Sequence, residues 1–150
     1  MRELQILSKL QEQGLPVPTP IAAHVCKTGL VYSADLITQL IPKSYSLSSI
    51  LIKNAITKVN WENIGSVVKK FHNVNCNHID LNAHNILLNE DNSVFLIDFD
   101  KSKIEEKSGF WRKENIKRLV RSLEKLKKTK TTFYYTDQDF DAFLEGYKRD

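Results

Sequence analysis

Cysteine is scarce in this 150-residue sequence: Cys26 and Cys76 are the only two, far apart and without the short paired spacing of a metal site. That excludes a disulfide framework and makes a reduced, cytosolic protein the natural reading. Glycine is almost as sparse. The five glycines are scattered along the chain and no G-x-G-x-x-G run occurs among them, so a glycine-rich phosphate cradle is missing. No apolar run reaches the roughly 18 residues that a membrane-spanning helix needs. The opening residues, MRELQIL, interleave charge with leucine and do not look like a signal peptide. There is no internal repeat and no low-complexity tract. The net charge of +4 is too small an excess to imply nucleic acid. What is present, 41% hydrophobic and 27% charged residues, is the mixture of one soluble globular domain with a real core.

The chain breakers are unevenly placed. All four prolines fall by Pro42, three of them between Gly14 and Pro20. Residues 2–13 space Leu4, Leu7 and Leu10 as a short helix does, and Gly14 ends it. Residues 21–41 mix β-branched and aromatic side chains around Lys27, Thr28 and Gly29, the pattern of a hairpin. From Ser46 the period turns helical. Leu47, Ile50 and Leu51 open one helix, and Trp61, Ile64, Val67, Val68 and Phe71 mark a second. Short strands are predicted over 85–88 and 94–97, joined by a turn at 89–92. A long helix over 111–128 and another over 136–147 complete the chain. The expectation is an α+β architecture, with a small β-containing piece up to residue 42 and a helical piece from 43 to 150.

Residues 78–88 read HIDLNAHNILL and residues 94–100 read VFLIDFD. An H-x-D-x-x-x-x-N loop, a tight hairpin and an apolar strand ending in D-F form the layout of a kinase catalytic loop and its metal-binding aspartate. Phosphoryl transfer leaves the protein little covalent chemistry; it needs a hydroxyl held in line with the γ-phosphate and cations that neutralise charge. Asp80 is placed to orient an acceptor hydroxyl and take its proton. Asn85 offers a neutral carbonyl oxygen to Mg²⁺, a hard ion that takes oxygen ligands. The hairpin folds the chain back so that Asp98 reaches the same ions from the other side, and His78 packs beneath the loop. The competing reading makes Asp80, Asn85 and Asp98 ordinary turn residues capping a hairpin; it does not account for the full set at these offsets. His84 stays open between a structural and a substrate role, while His24 and His72 show only surface or packing roles. Protein kinases usually carry Lys where this chain has Asn82, and a long activation segment ending in A-P-E. Here about a dozen residues separate Asp98 from Trp111 and no A-P-E occurs, which favours a small molecule or sugar as acceptor.

At this point the sequence resembles the Kdo kinases (3-deoxy-D-manno-octulosonic acid kinases) and related lipopolysaccharide-core sugar kinases of Gram-negative bacteria. The matching stretches are GLPVPTPIAA at 14–23, ADLIT at 34–38, DLNAHNILL at 80–88, IDFDK at 97–101 and W-x-x-x-N-I-x-R-L-x-R-S-L over 111–123. The resemblance implies ATP-dependent phosphorylation of the 4-hydroxyl of Kdo on a lipid A precursor, by a peripheral protein at the cytoplasmic face of the inner membrane. It implies a protein-kinase-like fold, mostly the helical C-terminal lobe (43–150) with a remnant of the N-terminal lobe (1–42). It carries over Asp80 as the active-site base and Asn85 and Asp98 as Mg²⁺ ligands that hold the nucleotide. Glu3 falls where kinases keep the glutamate that pairs with the phosphate-binding lysine; a solvated charge favoured by the helix dipole is the other reading.

Kinase-like enzymes begin with strands that carry a Gly-rich loop and that lysine, so the resemblance leads to the expectation of an N-terminally truncated form. On the 111–128 helix, Ile116, Leu119, Val120, Leu123 and Leu126 are assigned to the core. Lys113, Lys117, Arg121, Lys125 and Lys128 form a basic face, either solvated or in contact with anionic membrane headgroups or lipid A phosphates. No aromatics are interleaved with it, which speaks against nucleic acid. The rival functions are a heptose kinase, an aminoglycoside-phosphotransferase-like kinase, which would usually carry His at Asn82, and a non-catalytic remnant acting as a binding module.

Overall fold

The computed structural model describes residues 2–28 and 31–149, and for residues 2, 25–28 and 31–34 the backbone alone. Helix α1, Arg2–Glu12, buries Ile6, Leu7 and Leu10. It stops where the sequence says it should. Gly14 adopts φ +71°, its N–H donates to the Gln11 carbonyl (2.9 Å), and the Leu15 N–H donates to the Leu10 carbonyl (3.0 Å). That is a Schellman stop, with glycine in the left-handed position and two buried leucines clasping it. Strands β1, Pro20–Thr28, and β2, Val31–Thr38, then pair antiparallel with a bulge near Pro20. The expected hairpin is there, although Gly29 of its predicted turn lies outside the described residues.

From Lys43, itself at φ +50°, the chain enters β3, Ser44–Ser46, and then α2, Leu47–Lys53, whose first turn is capped by the Ser46 hydroxyl. Helix α3, Lys58–Asn73, is capped by Thr57 and buries Trp61, Ile64, Val67, Val68 and Phe71, the periodic set read from the sequence. Next come β4, Cys76–Asn77, β5, Ile86–Asn89, β6, Val94–Leu96, and β7, Lys103–Ile104. The last elements are α4, Trp111–Thr129, and α5, Asp137–Lys148, the latter opened by a Thr136–Asp139 capping box. The described strands form three small sheets, β1-β2, β3-β5-β6 and β4-β7. The architecture is α+β and kinase-like.

One apolar core runs through it. Leu7, Leu10, Leu15 and Val17 belong to the same buried cluster as Trp61, Phe71, Leu96 and Phe143. A backbone bond from Leu96 N–H to the Pro16 carbonyl (3.1 Å) ties the first segment to β6. Helices α3 and α5 approach closely at two glycines: a Cβ on Gly65 would run into the Phe143 carbonyl, and one on Gly146 into the Glu62 carbonyl. Neither obstacle is a flexible side-chain end, so only glycine fits this crossing.

Three sequence readings shift. The 85–88 strand starts one residue later, because the Asn85 N–H turns back to the Asn82 carbonyl (3.1 Å) instead of entering the ladder. The second strand ends at Leu96 rather than 97. On α4 the buried row is Asn115, Leu119, Leu123 and Leu126; Val120 and Ile116 lie on its flank and are only half-buried. The row of Lys113, Lys117, Arg121, Lys125 and Lys128 faces solvent on the opposite side.

Candidate active site

The site grows from the loop between β4 and β5. Its shape is set by side chains bonding to nearby backbone, the habit of Asn and Asp in turns. Asn82 Nδ2 donates to the Asp80 carbonyl (3.0 Å), and Asn82 Oδ1 accepts from the N–H groups of His84 (2.8 Å) and Asn85 (3.2 Å). Asn82, whose side chain is spent inside the loop, therefore shapes it rather than reaching outward. Asn85 Nδ2 also donates to the Asp80 carbonyl (3.0 Å). Its Oδ1 has no partner among the described residues, so the hard oxygen of a buried amide is left available beside Asp80.

The loop is stitched to the strand end that carries the second carboxylate. The Ile97 N–H donates to the Asn85 carbonyl (3.1 Å), and His78 Nε2–H donates to the Ile97 carbonyl (2.9 Å). His78 is buried against Phe99, with ring centroids 4.8 Å apart, and Phe99 stacks in turn on Phe71. Burial pushes the His78 imidazole below its ordinary range, against the Ile97 bond and the negative charges of Asp98 and Asp80, so the ring is neutral. Asp98 sits at φ +65°, a left-handed conformation that Asp tolerates better than most residues and that the bonds on either side impose.

Glu3 arrives from α1. Its Oε1 accepts from the Phe99 N–H (3.3 Å). Burial lifts the Glu3 carboxyl above its ordinary range, the charges of Asp100 and Asp98 add to that, and the Phe99 bond opposes it. The first helix thus brings Glu3 close enough to Asp98 and Asp100 to feel their charge. Among the described residues no three His, Cys, Asp or Glu side chains form a metal cage. An ion here would rest on Asp98, the Asn85 amide oxygen and oxygens of a ligand, which is how Mg²⁺ usually binds alongside phosphates.

Glu3 and Asp98 both line a cavity of about 370 Å³. Leu7, Pro18, Leu87 and Ile97 supply apolar walls, and the segment 38–41 forms its rim. The N–H groups of Leu40 and Ile41 and the carbonyls of Gln39 and Leu40 make no hydrogen bond among the described residues. A cavity that combines apolar side chains, unbonded backbone groups and two carboxylates can hold a ligand with both a flat apolar part and polar groups. Asp80 and Asn85 lie on the adjoining loop. His84 is exposed, with Nδ1 hydrogen-bonded to the buried Ser48 hydroxyl (2.9 Å).

Sequence reasoning missed the scaffold beneath. Asn115, 3% exposed, accepts from the His78 N–H (3.1 Å) and from His72 Nε2–H (3.3 Å), and donates to Asn77 Oδ1 (3.0 Å). The signal was present: Asn115 lies four residues before Leu119 on the buried face, where a polar residue needs partners. His72 completes the network by accepting from the Tyr147 hydroxyl (2.7 Å). Burial is the largest cause that drives His72 down to about 4, helped by nearby Arg112 and Lys69 and opposed by the Asn115 bond.

The sign of the pH effect follows. Above the unfolded value of 6.5 the ring is neutral in both states. As pH falls below that, only the unfolded chain binds the proton, so stability drops until about pH 4, where the folded ring titrates too. The loss is on the order of 3 kcal/mol. Urea unfolding between pH 7 and pH 4 should show it, and His72→Gln should make that part of the profile shallower, the buried His78 still contributing in the same direction; an identical slope in the variant would place the titration elsewhere.

Residues 1–147 match the model of the lipopolysaccharide kinase (Kdo/WaaP) family. A 3-deoxy-D-manno-octulosonic acid kinase of Vibrio vulnificus (strain YJ016) is 40% identical over 146 residues, 97% of this chain and 61% of that protein. Those of Haemophilus influenzae (strain PittEE) and Vibrio cholerae serotype O1 are 39% and 42% identical, covering 97% and 83% of this chain and 61% and 52% of their own lengths. The chain thus spans 61% of the length of the Vibrio vulnificus and Haemophilus influenzae proteins. With a family match running from the first helix through the last, over the loop and strand end that build the site, this chain belongs to the lipopolysaccharide kinase (Kdo/WaaP) family.

Proposed function

We propose that the protein transfers the γ-phosphoryl group of ATP to a hydroxyl of Kdo on a lipid A precursor. The observation that carries the reading is the stitching of the Asp80–Asn85 loop to Ile97: Asn85 is bonded both to the Asp80 carbonyl and to the residue before Asp98, which itself lines the cavity. Asp80 would hold the acceptor hydroxyl and receive its proton. Asn85 and Asp98 would hold Mg²⁺, which supplies neutralising charge for the phosphates when bound. Leu87 and Ile97 would contact the base of the nucleotide, with the 39–41 backbone hydrogen-bonding its edge. Glu3, already bonded at Phe99, would keep the Asp98 segment in place and remain available to a cationic partner. In this reading residues 1–42 are one wall of the nucleotide site and 43–150 the catalytic lobe. The choice of acceptor follows the relatives, which are 3-deoxy-D-manno-octulosonic acid kinases. Labelled ATP incubated with Kdo-lipid A precursor, heptose-bearing core and an aminoglycoside should yield label only on the first. Label on either of the others, and not on the first, would reassign the acceptor.

We also propose that the enzyme works as a peripheral protein at the cytoplasmic side of the inner membrane. No helix among the described residues is long and apolar enough to cross a membrane. The exposed basic row of α4 supports a surface contact. Lys117 pairs with Glu114 (2.9 Å), but an exposed pair of that kind costs little to open. Replacing Lys117, Arg121 and Lys125 together by Gln should weaken binding to anionic vesicles by about 3 kcal/mol at low salt, at roughly 1 kcal/mol per residue. Sedimentation with vesicles reads this directly; binding that ignores both the substitutions and added salt would return the row to plain solvation.

A further inference from the structure

A second cavity, of about 360 Å³, opens on the other side of the His78–Asp80 segment. Ile79, the residue between the buried His78 and Asp80, lines it, which puts the cavity one residue along the chain from the proposed base. Its floor is the hydrogen-bonded pair of Asn77 and Asn115, both buried and hence rigid. Phe110 and Trp111 make an aromatic wall. The Trp111 indole is fixed by its N–H donating to the Lys107 carbonyl (3.1 Å) and by its edge contact with His72 at 5.2 Å. Phe110, by contrast, is 65% exposed, with the Lys117 ammonium 5.0 Å from its ring centroid. Two charged residues complete the lining. Glu114 is drawn towards Lys117, and Arg118 is exposed with no hydrogen bond or ion pair among the described residues.

We propose that this cavity is the acceptor subsite and that Arg118 selects a sugar acid by gripping its carboxylate. The proposal rests on the kinase reading for the identity of the sugar. The chemistry of the lining fits such a ligand in each part. A guanidinium meets a carboxylate through two parallel N–H···O bonds, which fixes orientation as well as charge. The apolar face of a sugar ring lies against an aromatic wall, and hydroxyls donate to a carboxylate such as Glu114. A sugar held by its carboxylate at Arg118 would share the cavity with Ile79, the chain neighbour of Asp80. A neutral sugar would leave the Arg118 fork unmatched, which gives the site a means of discrimination.

Two-dimensional NMR of the ¹⁵N-labelled chain tests this without requiring turnover. Free Kdo should shift the Trp111 indole and Ile79 amide resonances, and its methyl ester, which lacks the charge, should bind about tenfold more weakly or worse. Arg118→Gln should cause the same loss, with Arg118→Lys intermediate because it keeps charge but not the fork. Because Arg118 is exposed, both variants should keep the parent spectrum elsewhere. Inorganic phosphate serves as the rival anion: if it moves Trp111 and Ile79 as Kdo does, the cavity is a phosphate site and the proposal is wrong. Kdo shifts that survive unchanged in Arg118→Gln, or that miss Trp111 and Ile79, overturn it as well. MgATP added separately should shift Leu87 and Gln39. Failure of that arm alone would count against the kinase reading, and failure of the Kdo arm alone against this subsite.

Discussion

Replacing Asp98 should abolish the Mg²⁺ dependence of nucleotide binding and lower any phosphoryl transfer by about a thousandfold or more, the several kcal/mol that a metal Lewis acid contributes. The choice of replacement matters. At φ +65° an alanine would sit in a region that its Cβ disfavours by about 1–2 kcal/mol, so Asp98→Ala mixes backbone strain with loss of the ligand. Asparagine tolerates that conformation and keeps the shape while removing the charge. Asp98→Asn should therefore unfold at nearly the parent's urea concentration yet lose Mg²⁺-dependent binding, whereas Asp98→Ala should lose both. Calorimetric titration of ATP with and without Mg²⁺ makes the measurement. Asp100 is the neighbouring alternative, also exposed and also close enough to Glu3 to raise its pKa. If Asp98→Asn keeps its Mg²⁺ response and Asp100→Asn does not, the ligand has been assigned to the wrong carboxylate.

The parts of this structure that were legible beforehand are those whose signal is local. Helix α1 and its stop at Gly14 are written in three leucines and a glycine, and α3 in five apolar residues at helical spacing. The 78–85 loop was visible because its offsets are those of a known chemical layout. What stayed hidden depends on partners distant in sequence. Strands β3, β4 and β7 are two or three residues long, too short to show any period, and exist because a neighbouring strand pairs with them. Val120 looked like a core residue from spacing alone, yet the space beneath α4 goes to Asn115, whose three bonds reach α3, β4 and the loop. Glu3 is placed at the site only through the kinase resemblance; its bond to the Phe99 N–H, 96 positions away, has no local signal. The free backbone edge at 39–41 is invisible in principle, since it is defined by hydrogen bonds that are not made.

Asp80→Asn should show a different pattern from Asp98→Asn. The Asp80 backbone carbonyl, not its carboxylate, accepts from Asn82 and Asn85, so the loop's internal bonds do not depend on the side chain being replaced. An amide of the same shape should leave the loop, the cavity and the fold unchanged. It cannot take a proton from an acceptor hydroxyl, and a positioned general base contributes about 10²–10⁴ in rate, or roughly 3–5 kcal/mol. The expected result is a fall in kcat of that size with MgATP affinity within about twofold of the parent, since Asp80 is proposed to face the acceptor and not the nucleotide. The lost proton acceptor also makes a kinetic prediction. If Asp80 works as a base, an acceptor analogue with a more acidic hydroxyl should recover part of the lost rate in Asp80→Asn and gain less in the parent. If Asp80 only holds the hydroxyl in line, both proteins should respond to acidity alike. A variant that loses nucleotide affinity while keeping normal turnover at saturation would contradict both versions and make Asp80 a structural residue of the loop.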